Sequence, residues 1–213
     1  MPTDEIHEAA SRRIRFALKI GFVPHDGLVK DVVEWLIDEH DEDVARAAAE
    51  AVLPDILREH LAEMKTWPAL TDCDRLDAAF EELNARGIMA RRDWTCCGNC
   101  GRAEMPDEFD RLDGQWEGKP IIGYIFYHQQ DTENAAEQYG LSFNFGSCES
   151  IDDEQEYVAK CLEVARALQD ALTSRGLKVT WSGTYAQRPH VQLNWQRRAR
   201  PKRFCGDNAS GSC

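Results

Sequence analysis

The sequence lacks most of the signals that settle a protein's class at once. No apolar run approaches the roughly 18 residues that suggest a membrane span, so no membrane association is expected. The opening "MPTDEIHEAA" is acidic and has no apolar leader core, which leads us to expect a cytoplasmic protein. No P-loop, G-x-G-x-x-G, G-x-S-x-G or H-E-x-x-H pattern occurs. That removes the usual marks of nucleotide binding, hydrolysis and zinc proteolysis, though not an enzyme with an unfamiliar site. No internal repeat is visible. Bases are scarce, with 25 Lys+Arg against 38 Asp+Glu and a net charge of −13. Six bases and one acid fall in residues 184–213, so the rest of the chain is strongly acidic and repels nucleic acid. Only the tail, with Arg197, Arg198, Arg200, Lys202 and Arg203, has the charge to attract it. A protein partner, or the chain's own acidic body, suits that tail better.

What is present reads as an α+β protein. Hydrophobic residues make up 43% of the 213 positions, enough for a packed core. Residues 1–68 carry helical periodicity. Ile6, Ala10, Ile14 and Ala17 share one face, Val29, Val32, Val33 and Leu36 a second stripe, and a third helix over about 42–65 bends at Pro54. "TDCDRLDAAFEELNARG" is a capped helix that starts at Thr71 or Asp72 and stops at Gly87. From there residues 69–196 alternate between helices and strands. "IMARR" leads into a cysteine-rich turn, "PDEFDRLDGQWEGKP" reads as a polar loop, and "IIGYIFYH" reads as a central strand. "LSFNFG" alternates, with Leu141, Phe143 and Phe145 inward and Ser142 and Asn144 outward. A long helix over 152–175 precedes a hairpin of "LKVTWS" and "HVQLNW". The expectation is a mixed sheet of about five strands with helices mainly on one face, and a basic mobile tail over 197–213.

The stretch "TDCDRLDAAFEELNARGIMARRDWTCCGNCGRAEM", followed by "GYIFYHQQDTENAA" and "GLKVTWSGT…VQLNW", resembles a family of uncharacterised bacterial and plant proteins known only as a domain of unknown function. The resemblance spans about residues 70–196. It implies no activity, cofactor or catalytic residue.

Chemistry is most concentrated in "WTCCGNCG". Cys97 and Cys100 have the C-x-x-C spacing that lets two thiolates bind one zinc ion from a tight turn. No second C-x-x-C exists, so the other ligands must come from elsewhere. If the first three strands run parallel, His128 and Cys148 reach the same edge, giving a Cys97, Cys100, His128, Cys148 set. Cys205 and Cys213 are the alternative pair. The same spacing also fits a redox dithiol, with Cys97 as nucleophile at a helix start and Cys100 as resolving thiol. A third reading packs these thiols as small hydrophobes, as expected for Cys161 and Cys73 on or beside helices. His128 with Asp131 or Glu133 can form an acid–base pair at an open zinc position, or simply close the strand and cap the next helix. Trp181 and Trp195 share the inward parity of the hairpin, and Trp116 in the polar loop is the better contact residue. Together these readings favour a non-enzymatic binding or regulatory module with a cysteine centre able to hold zinc. A thiol oxidoreductase or redox sensor is the alternative, and a metal-dependent enzyme the second alternative.

Overall fold

The computed structural model describes residues 3–199, which divide into two compact units. The first comprises the chain up to Ala69 together with the stretch that begins again at Gln196. Three helices build it: α1 (Asp4–Ile20), α2 (Leu28–Leu36) and α3 (Glu42–Met64). Their apolar stripes meet in one core that includes Ala10, Ile14, Leu28, Val32, Ala45 and Ala48. Gly21 ends α1 in the left-handed region at φ 77°, where its N–H returns to the Ala17 carbonyl. The chain re-enters this unit against the same turn. The Arg197 guanidinium carbon lies 4.5 Å from the Phe22 ring centroid, and Arg198 donates to the Pro68 carbonyl at 2.7 Å. Two bases of the expected mobile tail are therefore packed. Arg200, Lys202, Arg203, Cys205 and Cys213 lie outside the described residues.

The second unit spans Leu70–Trp195. It runs α4 (Asp72–Ala85), β1 (Ile88–Arg91), α5 (Gly98–Arg111), β2 (Gln115–Trp116), β3 (Lys119–Pro120), β4 (Gly123–Phe126), α6 (Gln129–Ala136), β5 (Leu141–Ser142), β6 (Asn144–Ser147), α7 (Glu154–Thr173), β7 (Val179–Thr180) and β8 (His190–Val191). The main sheet has the order β1-β4-β6, with β1 and β4 parallel and β6 antiparallel to β4. A second sheet, β5-β8-β7, is antiparallel, and β2 and β3 form a short ladder.

The α+β class holds, but the single five-stranded sheet does not form. The alternating run "LSFNFG" splits at Phe143, whose N–H donates to the Pro189 carbonyl at 3.0 Å. Leu141–Ser142 then pairs with β8, and Asn144–Ser147 with β4. Asn144, expected outward, is buried.

Helices also cover both faces of the main sheet. Successive strand residues point to opposite sides: Gly123 lies against Val164 of α7, and Phe126 against Gly101 of α5. The segment expected as a polar loop supplies the second half of α5. Pro106 and the charges around it hide the helical stripe in the sequence. Met105 nevertheless packs with Met89, Ile121 and Phe126, and Phe109 and Leu112 join them. A buried ion pair fixes the helix to β1, with Arg91 Nε donating to Glu108 Oε1 at 2.8 Å.

Candidate functional site

Parallel β1 and β4 end at the same edge of the main sheet, and the chain leaving β1 there forms the cysteine turn. Asp93 and Thr95 hold left-handed backbone at φ 51° and 58°, which costs about 1–2 kcal/mol per residue. Hydrogen bonds impose it. Trp94 N–H donates to the Tyr127 carbonyl at 2.9 Å, and Gln129 N–H to the Thr95 carbonyl at 3.1 Å. Thr132 Oγ1 donates to Asp93 Oδ1 at 2.7 Å. The turn is thus tied to the strand and helix beside it, and it delivers Cys97 to the N-cap of α5.

The starts of the helices differ in kind. Thr71 and Asp74 form a reciprocal capping box on α4, His128 and Asp131 form one on α6, and Asp153 caps α7 through its carboxylate. Cys97 makes no side-chain cap bond of ordinary geometry. The N–H groups of Cys100 and Asn99 nevertheless point at its sulfur. They pull its pKa below that of an ordinary thiol, with the Cys100 N–H contributing most. Cys100 behaves oppositely. Hydrogen bonding to the Cys96 and Cys97 sulfurs pushes it up to about 11.

Cys96 Sγ lies 3.4 Å from Cys100 Sγ, and the sulfurs of Cys96, Cys97 and Cys100 all lie within 4.8 Å of one another. A tetrahedral zinc ion with Zn–S bonds of about 2.3 Å holds its sulfurs about 3.8 Å apart, a spacing within the 4.8 Å that bounds this group, so the three thiols could hold one ion. No further Cys, His, Asp or Glu among the described residues joins this group.

The two other expected ligands fall elsewhere. Cys148 follows β6, and β6 runs against β4. Ser147 therefore pairs with Gly123 at the start of β4, not with its end. The four-residue set needed a parallel third strand, and this register places Cys148 at the opposite end of the sheet from Cys97. His128 does reach the cysteine edge, and its Nε2 would lie 3.5 Å from a Cβ built on Gly98. It is already engaged. Its Nδ1 accepts the Asp131 N–H at 3.2 Å, and its Nε2 lies 3.0 Å from Asp131 Oδ2. Burial lowers its pKa more than the Asp131 charge raises it, and Arg188 and Arg102 lower it further. The ring is therefore neutral near pH 7, with its proton on Nε2 toward the carboxylate. Arg188 completes this group through Asp131 Oδ2 at 2.5 Å and the Ser142 carbonyl at 2.7 Å. Trp116 lies under the Arg91 guanidinium at 5.2 Å.

The ligand set read from the sequence omitted Cys96, which lies outside the C-x-x-C pair although three thiols fall within five positions. It also missed two polar neighbours, Arg102 and Asn144.

These features define an α+β protein with a three-thiol cluster that could hold a metal ion, at the start of a helix packed on a mixed sheet. The chain belongs to the family described as a domain of unknown function, DUF6891, whose model matches residues 3–199. No curated protein and no solved structure matches it.

Proposed function

We propose that this protein is a binding or regulatory module whose working part is the Cys96, Cys97, Cys100 cluster, holding one thiophilic metal ion, with zinc the first candidate. The observation that carries this reading is the mutual spacing of the three sulfurs within 4.8 Å. Three thiolates leave one tetrahedral position open, the arrangement in which zinc exchanges a ligand with its surroundings instead of serving only as a staple. The test is metal content on protein purified under reducing conditions without chelator. About one zinc per chain, lost in the Cys97→Ser, Cys100→Ser variant and kept in Cys148→Ser, supports the reading. Metal-free protein that takes up none on titration overturns it. A Cys205→Ser variant tests whether the tail supplies the fourth ligand.

A redox dithiol is the second reading, favoured by the opposite displacement of the two pKa values: Cys97 lowered and Cys100 raised. A nucleophile at a helix start followed three residues later by a protonated partner is the arrangement that thiol–disulfide exchange uses. A reversible Cys97–Cys100 disulfide at a physiological potential supports this reading. A pair that stays reduced in glutathione buffers of every ratio counts against it.

A further inference from the structure

The helical unit carries titratable side chains of its own. His25 lies in the 3-10 turn His25–Gly27 that leads into α2, and His60 in the last turns of α3. Their rings meet edge to face, with centroids 6.5 Å apart and planes at 88°. His60 makes a like contact with Trp67 at 5.8 Å and 81°, and the Arg198 guanidinium carbon lies 5.9 Å from the Trp67 ring centroid. Arg198, Trp67, His60 and His25 thus form a chain of contacts. It ties the returning stretch and the turn before α2 to the end of α3, and all four residues belong to the helical unit.

Neither ring has the partners that an imidazolium needs. The Nε2 atoms of His25 and His60 are buried and have no hydrogen-bond partner. An imidazolium carries a donor on each nitrogen, and a buried charge without an acceptor is costly. For His60, burial opposes the charge most, Glu63 on the same helix favours it and His25 opposes it, so its pKa lies below the ordinary histidine value. The other acids on the packed elements are engaged elsewhere or face water. Glu59 of α3 is paired with Arg15 of α1 at 2.8 Å, and Asp31 of α2 with Arg13 of α1 at 2.7 Å. Asp26, beside His25, is exposed, and Arg198 adds a fixed positive charge at Trp67. A histidine lowered in the folded state contributes stability that is full above its unfolded value of about 6.5. That stability is lost as pH falls from there through the lower folded value.

We propose that His25 and His60 form a proton-operated joint in the helical unit, closed at neutral pH by the ring contacts and opened by mild acid. One proton from solvent charges the His60 ring. The turn His25–Gly27 then moves off α3 so that water reaches the two Nε2 atoms, and the contacts of Trp67 with His60 and Arg198 loosen with it. Histidine is the side chain suited to this, because its charge changes between about pH 5 and 8. The helices persist through the change, since the apolar core of Ala10, Ile14, Leu28, Val32, Ala45 and Ala48 holds no titratable group. The joint works whether or not the thiols bind metal.

The test is amide hydrogen exchange on the full chain, read by peptide mass spectrometry at about pH 7.5 and about pH 5.5. Each rate is divided by the intrinsic exchange rate at that pH. A nuclear magnetic resonance titration of the His60 ring accompanies it. The expected result is about a tenfold loss of protection over residues 25–36 and 57–67 at the lower pH. His60→Gln and His60→Phe, which cannot take up the proton, each hold the change within about twofold. His7→Gln and His40→Gln, at other histidines of the same unit, leave the tenfold loss in place. Wild-type protection that does not change with pH, or a loss that persists in the His60 variants, overturns the joint. If both His60 variants are already unprotected at neutral pH, the wild-type ring decides. A His60 ring that titrates below the ordinary histidine value, in step with the loss of protection, supports the joint, and any other titration overturns it.

Discussion

The two ends of the main sheet both carry cysteines and treat them in opposite ways. Where β1 and β4 finish, Cys97 stands at a helix start and is pulled toward the thiolate by backbone N–H groups. At the other end, burial and then the nearby Cys161 charge push Cys148 up to about 11. Cys161 itself is buried in α7 and accepts the Ser147 N–H at 3.3 Å. The same side chain is therefore drawn toward the thiolate at one end and held toward the thiol at the other. The difference lies in which backbone groups face the sulfur and how much water reaches it, not in the residue.

The comparison depends on α5 being held in place, and the largest expected effect tests that. Arg91→Met leaves Glu108 buried without its partner on β1 and should cost about 3–5 kcal/mol in urea unfolding. A loss below about 1 kcal/mol would mean the ion pair does not anchor the helix. Next comes reactivity. At neutral pH a thiol-alkylating reagent followed by peptide mass spectrometry should modify Cys97 more than about a hundredfold faster than Cys148. Comparable rates would erase the contrast between the two ends.

A smaller effect appears at acid pH. Burial alone would raise the Glu108 pKa, but the Arg111 hydrogen bond and the Arg91 charge outweigh it and hold it below the usual glutamate range. A carboxyl lowered in the folded state contributes stability that is fully present above its unfolded value, about 4.3. That stability fades as pH falls through the lower folded value. The stability gap between wild type and Glu108→Gln should therefore narrow by about 1 kcal/mol between pH 5 and pH 3, and a gap that widens would refute the sign. The smallest effect sharpens the contrast between helix starts. Thr71→Ala removes the cap of α4 and should cost about 1 kcal/mol. Cys97→Ala should cost well under half of that, because the N–H groups facing the Cys97 sulfur make no cap bond of ordinary geometry with it.

Much of this was legible in the residues. The helical stripes of α1, α2, α4 and α7 repeat every three to four positions, and their stops at Gly21 and Gly87 carry the left-handed angles expected of them. The parallel pairing of "IMARR" and "GYIF" entered only as a condition, because the helix that crosses between them was hidden in a segment that reads as a polar loop. Alternation alone could not show that "LSFNFG" serves two sheets, since the break at Phe143 depends on the distant Pro189 carbonyl. The reversed direction of β6, which separates Cys148 from the other thiols, is a property of pairing and leaves no local trace. α5 was hidden because its buried face includes a charge. Glu108 reads as solvent-facing until Arg91, 17 positions earlier, is known to lie beneath it.

The packing of Arg197 against Phe22 has a consequence in time. The helical unit is interrupted in sequence by the whole sheet unit, since the chain leaves it at Ala69 and returns only at Gln196. During synthesis at about 5–20 residues per second, α1 to α3 emerge roughly ten seconds before the arginine that covers their turn. The sheet unit is complete before the helical one receives its last piece. A chain cut short after Trp195 would carry a finished thiol centre and an unfinished partner, so the order of translation itself separates the two halves.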